Sequence, residues 1–235
     1  YCQVPNLQRG APPPVDVARI RDELHEFVRD VLEGDFMQRA VPEGARRLND
    51  IALSGNGEPT SAKEFSAVIE VIDDVRRDMN MSKDVKTVLI TNGSLVHQHR
   101  VQDGLRRMRT LSGEVWFKLD SATRQGRQRI NDTRSGMRQV ARNLAAAAKA
   151  CPTWLQTCVL ALDDQPPSAV EQQAYLDFVA QQIADGVPLQ GVLLYGLARP
   201  SHQPEAKRLS ALAPEWLEAY AGRIRALGLE VKVSV

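Results

Sequence analysis

The chain has 235 residues, a mass of 26.1 kDa, 43% hydrophobic and 25% charged residues. That suits one sizeable domain with a full core and excludes a disordered or fibrous polymer. Thirty Lys and Arg against 29 Asp and Glu leave a net charge of +1, so whole-chain charge singles out neither nucleic acid nor a membrane surface as partner. The uncharged run from Cys151 to Leu162 is too short and too polar to cross a bilayer, which needs about 20 apolar residues. Three cysteines, Cys2, Cys151 and Cys158, are too few for a disulfide scaffold, and a reducing, cytoplasmic setting is expected.

In chain order, a polar, proline-studded opening, "YCQVPNLQRGAPPP", leads to a helix predicted over 15–33. It carries Ile20, Leu24, Phe27 and Val31 on one stripe and is stopped by Gly34. Short apolar runs predict strands near 50–54, 85–91, 114–120, 154–162, 189–195 and 229–235. Between them, period-3.6 segments predict helices. The first of these opens on Ser61 with Glu64 three residues on, a capping-box spacing, and turns Phe65, Val68, Ile72 and Val75 inward. The others are placed near 95–108, 124–150, 168–184 and 214–227. No low-complexity linker divides the chain, so residues 1–235 are read as one domain.

Repeated strand–helix units of this length build either a doubly wound sheet or a barrel. The strand "EVWFKLDS" decides between them. Val115, Phe117 and Leu119 alternate with Trp116, Lys118 and Asp120, and Gln156 and Tyr195 fall on the same polar side of later strands. A barrel strand points alternate residues into a lumen, whereas a doubly wound sheet is apolar on both faces. The expectation is a partial (β/α)6 TIM-like barrel with its chemistry at the strand C-terminal ends. Only six strands are countable, and the chain opens on a loop followed by a helix, as though a first strand were missing.

Four strand-end segments carry candidate site residues. "SGNGEPT" supplies Gly55, Gly57 and Glu58, "TNGS" supplies Asn92, "KLDS" supplies Asp120 and Ser121, and "YGLARPS" supplies Tyr195 and Leu197. Each also reads as ordinary turn chemistry, since Gly, Asn, Asp and Ser close strand-to-helix turns. Cys151 and Cys158 read as small buried apolar residues. Together with "YCQ" at the start, the segments resemble, in order, the radical S-adenosylmethionine enzymes entered just after their first strand. The subset most resembled is the iron–sulfur oxidoreductases related to wyosine-forming enzymes. "YCQ" matches the end of that family's Cys-x-x-x-Cys-x-x-Cys loop, and "SGNGEPT" matches its Gly-Gly-Glu segment.

The resemblance implies a 4Fe-4S cluster with Cys2 as one of three thiolate ligands, and S-adenosylmethionine held by amine and carboxylate on the open iron. It implies Gly55, Gly57 and Glu58 as acceptors for the methionine amine, Asp120 and Ser121 near the ribose or the methionine carboxylate, and Tyr195 to Leu197 along the adenine, with Asn92 nearby. Glu58 is expected to serve the cofactor rather than folding. The reaction implied is one-electron cleavage to a 5′-deoxyadenosyl radical that takes hydrogen from a substrate, be it a small molecule, a peptide or tRNA. A reductant such as flavodoxin or ferredoxin supplies the electron, and no membrane is involved. The first two cluster cysteines are absent from this sequence, which implies that the chain is inactive by itself.

Two further readings stay open at this point. Lys118, inward beside Asp120, suits a Schiff-base lysine of an aldolase-like barrel, and a noncatalytic binding module suits the same fold. Between Arg100 and Arg142, eleven Lys or Arg face four Asp or Glu. This is either a set of solvated, salt-bridged helix faces or a basic rim for an anionic substrate such as tRNA. No aromatic residue interleaves the arginines from 127 to 142, so base stacking has no support there.

Overall fold

The computed structural model describes residues 1, 4, 10, 13–55 and 57–234. Its strands are β1 (Asp50–Leu53), β2 (Lys86–Thr91), β3 (Gly113–Lys118), β4 (Thr153–Cys158), β5 (Ala161–Leu162), β6 (Leu189–Tyr195), β7 (Leu209–Ser210) and β8 (Glu230–Ser234). Six of them form one sheet in the order β1-β2-β3-β4-β6-β8, every pair parallel. The order never reverses, so there is no switch point of the doubly wound kind. Each connection returns the chain beside the strand it has just left, which is the winding of a partial barrel. The two short strands β5 and β7 pair antiparallel as a separate ribbon.

The α-helices are α1 (Val17–Leu32), α2 (Phe36–Ala40), α3 (Phe65–Asp78), α4 (His99–Thr110), α5 (Arg124–Asn131), α6 (Met137–Ala150), α7 (Ala169–Ala184) and α8 (Pro214–Arg225). They cover the sheet face that carries Val115, Phe117 and Leu119, each at most 2% exposed. Leu89, Leu155, Val192 and Leu194 join the same core with Leu105, Leu144, Val179 and Ile224 from the helices. The opposite face forms the barrel interior. Strand register sets Ile90, Trp116, Trp154 and Gly191 in one row and Lys118, Gln156, Leu193 and Lys232 in the next. The lower row is filled by indoles: Trp154 lies so close to Gly191 that a Cβ there would stand 2.6 Å from the ring. The Lys232 ammonium sits 4.1 Å from the centre of the same indole, a cation–π contact that lets a lysine face the lumen.

Three expectations are corrected. The helix expected over 124–150 is two, because Asp132 takes left-handed backbone (φ 47°) and caps α5, a conformation that aspartate tolerates better than most residues. Ser61 and Glu64 do not form a capping box: Ser61 ends a 3-10 turn (Pro59–Ser61), α3 begins at Phe65, and Glu64 caps it without a side-chain bond. The box is instead at Ser168 and Glu171, opening α7. Phe27 is not a core residue. It is 52% exposed and meets Phe36 edge-on at 5.0 Å, while Val28 and Val31 pack inward.

The turn after β2 is tightly specified. Gly93 has φ 72°, and a Cβ at this residue would lie 2.1 Å from the Phe117 ring. The buried Asn143 side chain of α6 donates to the carbonyls of Gly93 (2.8 Å) and Ser94 (3.3 Å). A Gly93→Ala protein therefore meets both left-handed strain and an overpacked core, each about 1–3 kcal/mol. Urea denaturation should show its midpoint well below wild type, with the slope of the transition unchanged.

Candidate functional site

At the C-terminal ends of the strands, the turn after β1 leads into Glu58, whose carboxylate is already engaged. Its Oε1 accepts from the Thr60 hydroxyl (2.6 Å), the Thr60 amide (3.2 Å) and the Thr91 hydroxyl (2.6 Å); Oε2 accepts from the Asn92 amide (2.7 Å). The carboxylate thus ties the end of β1 to the end of β2, which corrects the expectation that Glu58 stands apart from folding. A carboxylate has about four acceptor positions, two on each oxygen, so Oε2 keeps one. Gly55 and Gly57 precede it with φ of 139° and 141° and nothing within 4 Å of where a Cβ would stand, leaving the strand end open. Asn92 also holds its own turn, its Oδ1 accepting from the Ser94 amide (2.8 Å).

Asp120 is the second hub. Its Oδ2 accepts from the Tyr1 hydroxyl (2.6 Å) and the Asn131 side chain (2.6 Å), and Oδ1 accepts from the Cys158 amide (2.8 Å). Lys118 donates to the phenol oxygens of Tyr1 (2.7 Å) and Tyr195 (3.2 Å). Ser121, one residue on, accepts from the Thr123 amide (3.2 Å) at the start of α5. It also lines a cavity together with Asp120. Tyr195 lines the interior, while Leu197 is half-buried and, among the described residues, its backbone N–H and C=O have no protein partner. Gln156 is the notable omission from the expected site. Its Oε1 is buried on the inner face with no hydrogen-bond partner, an acceptor that needs a donor to be tolerated there.

Tyr1, Thr60, Thr91 and Asn131 were also not singled out by sequence. Only Tyr1 carried a local signal, as the aromatic residue before Cys2. Thr60 meets Glu58 locally, two residues on within "SGNGEPT", whereas Thr91 and Asn131 reach the site through contacts that spacing does not encode.

Two cavities flank α5 at this mouth. One, of about 380 Å³, is lined by Asn92, Gly93, Lys118, Arg127, Asn131 and Gln139. The other, of about 540 Å³, lies between α5 and the start of α7 and is lined by Asp120, Ser121, Cys158, Val159, Glu171 and Tyr175.

The electrostatics favour protonated groups. Burial pulls the Lys118 ammonium down, but Asp120 and the Tyr195 phenol outweigh it and hold its pKa above the ordinary lysine value. A Schiff-base lysine must lose its proton, and this environment favours the charged form of Lys118. Burial pushes the Cys151 and Cys158 thiols up to about 12, with Asp120 adding to the effect on Cys158, and burial likewise pushes Tyr195 up to about 12.

These thiols do not suit a metal, and among the described residues no group of three His, Cys, Asp or Glu is placed to hold one. Cys2 lies outside the described residues. Cys2 is therefore the one expected cluster ligand that the described residues leave untested. The open glycine turn at Gly55 and Gly57, the spare position on Glu58 Oε2 and the unbonded Leu197 backbone are groups of the kind S-adenosylmethionine would need.

Two measurements follow from the protonated groups. At pH 8 a thiol with a pKa of about 12 is ionised in roughly one molecule in 10⁴, so Cys151 and Cys158 should resist iodoacetamide in the native protein and react after unfolding. As pH rises past the ordinary thiol and phenol values of 9 and 10, the unfolded chain loses protons that the fold keeps. Stability should then fall progressively between about pH 9 and 12, visible as a lower midpoint in urea.

No family model matches the sequence, and no curated protein matches it. Solved structures do. A domain of a pyruvate-formate lyase-activating enzyme from Bacteroides vulgatus is 14% identical with a TM-score of 0.55, covering 79% of this chain and 98% of that one. A radical SAM methyltransferase from Sphaerobacter thermophilus is 14% identical with a TM-score of 0.55, covering 89% of this chain and 56% of that one. A spore photoproduct lyase in complex with dinucleoside spore photoproduct is 12% identical with a TM-score of 0.52, covering 94% and 67%. At such identity the likeness is one of fold, and the fold it gives is the parallel, partial barrel described above.

Proposed function

We propose that this chain is the S-adenosylmethionine-binding core of a radical S-adenosylmethionine enzyme. The observation that carries the reading is unspent hydrogen-bonding capacity at two strand C-terminal ends: one free acceptor position on Glu58 in "SGNGEPT" after β1, and the unbonded Leu197 backbone in "YGLARPS" after β6. The likeness in fold to a radical SAM methyltransferase and to a pyruvate-formate lyase-activating enzyme supports it.

In this reading bound S-adenosylmethionine would supply hydrogen-abstracting radical chemistry, with the electron drawn from a flavodoxin- or ferredoxin-class reductant. The chain's own residues bind and orient. Gly55 and Gly57 let the ligand approach the backbone, and the free position on Glu58 Oε2 accepts from the methionine ammonium. The Leu197 backbone offers one donor and one acceptor to a purine. Asp120 keeps its bonds to Tyr1, Asn131 and the Cys158 amide and fixes the wall beside the ribose. Lys118 stays charged between two phenols and acts as a positioning group. Cys2 is the proposed cluster ligand.

Glu58 separates binding from folding. Glu58→Ala removes four hydrogen bonds and should lower stability by about 1–3 kcal/mol, read as a lower urea midpoint. Glu58→Gln keeps the shape but loses the charge facing an ammonium. It should fold, and should weaken S-adenosylmethionine binding about tenfold or more, the effect of losing a charged hydrogen bond of about 1.5–3 kcal/mol. Calorimetry checks the second point.

The reaction is tested on protein expressed from its complete reading frame and reconstituted anaerobically. After its iron and sulfide content is verified, dithionite and S-adenosylmethionine should yield 5′-deoxyadenosine. A protein that holds its cluster and forms none would overturn the reading.

A further inference from the structure

The basic residues between 100 and 142 divide sharply once their partners are known. Arg100 holds the carbonyls of Thr60 and Ala62, Arg107 spans Asp73 and Glu70, Arg106 pairs with Asp103, Arg127 grips Ser135 and Arg129 pairs with Glu171. Lys118 is bound by its two tyrosines. Arg124, Arg134, Arg138 and Arg142 have no partner among the described residues, and all four are exposed.

This is unusual for the molecule. Elsewhere, exposed arginines such as Arg19, Arg21, Arg39, Arg77, Arg208 and Arg225 each reach a carboxylate. Apart from the four, only Arg109 and Arg199 lack an acceptor among the described residues. The free arginines are therefore concentrated on one hairpin, α5 to α6, where residues 124–142 contain six arginines and the single acid Asp132. Arg138 and Arg142 stand one turn apart on the face of α6 opposite the buried Val140, Asn143 and Leu144. Asn131 and Gln139 of the same hairpin line the cavity that leads to Lys118.

We infer that the outer face of the α5–α6 hairpin binds the phosphodiester strand of a nucleic acid and presents it to the barrel mouth. Guanidinium forks suit phosphate oxygens. The exposed positions of the hairpin are all polar or glycine. A protein interface needs an apolar or aromatic centre and a membrane-surface helix needs an apolar face, and neither is there. With no aromatic side chain beside the arginines, binding rests on the backbone and is independent of base sequence. The inference does not rest on the cofactor reading, because it concerns a surface outside the mouth and is tested without S-adenosylmethionine or a cluster.

The test uses fluorescein-labelled 20-nucleotide single strands, one RNA and one DNA, and fluorescence anisotropy from 50 to 200 mM KCl. Four phosphate contacts give a slope of log K on log[salt] of about −2.8 for a single strand, so affinity should fall roughly 50-fold over that range. The Arg138→Gln/Arg142→Gln protein should bind with a slope shallower by about 1.4. An Arg208→Gln/Arg225→Gln control, with its changes elsewhere, should match wild type. Both variants alter exposed side chains, and a thermal melt equal to wild type verifies their fold. A stronger RNA signal assigns the ligand to RNA, and equal signals assign it to either strand chemistry. No binding of either strand at 50 mM KCl overturns the inference. So does an unchanged slope in the Arg138/Arg142 variant, or equal binding to polyglutamate or phosphatidylserine vesicles.

Discussion

Every feature of the mouth follows from one constraint on the sheet: each strand pairs in parallel with the one laid down before it, with no reversal. The helices then fall on one face, and the other face lines the interior of a partial barrel. Helices supply apolar side chains by the dozen, so the outer strand positions can be Val, Leu and Phe throughout. The inner positions have only each other. A polar side chain there must find its partner across the lumen, from a strand end, or from the ligand. Lys232 finds an indole, Lys86 finds Glu114 at 3.3 Å, and Lys118 finds two phenols. Gln156 finds nothing.

The two carboxylates at the strand ends show how such a mouth is made rigid before any ligand arrives. Glu58 collects donors from two successive strand ends, and Asp120 collects them from Tyr1, from α5 and from the start of the β4 loop. Both are bound by neutral donors on the protein, with Lys118 one bond removed from Asp120 through Tyr1. Such groups serve twice, holding loops that the sheet alone would leave free while keeping their charge at the surface a ligand would meet. Substitutions there mix folding with binding, and an amide replacement is more informative than truncation.

Much of this was legible in the sequence. Alternation along "EVWFKLDS" places Lys118 and Asp120 inside, and strand burial follows it residue by residue. All six strands of the sheet fall where the apolar runs lie. Side-chain partners were less legible, because Thr91 reaching Glu58 and Asn131 reaching Asp120 depend on how separate units pack. Phe27 was misplaced because the stripe on α1 is wide, and α3 takes up Val28 with Val71 and Val75 instead.

The break between α5 and α6 was the costliest element to miss, and its consequences reach furthest. A single helix over 124–150 would run straight down the barrel wall and carry its arginines away from the mouth in a spiral. The left-handed Asp132 stops it after two turns. Both ends of α5 then stay by β3, with Thr123 capping one end beside Ser121 and Asn131 at the other end bonded to Asp120. The chain can afterwards restart at Gly136 with Arg134 and Arg138 still near the top. One residue's backbone conformation thus closes the Asp120 site from one side, opens the cavity toward Lys118 and turns the unpaired arginines outward. The Asn131–Asp120 bond inside the mouth and the arginines of the hairpin outside it both depend on this break.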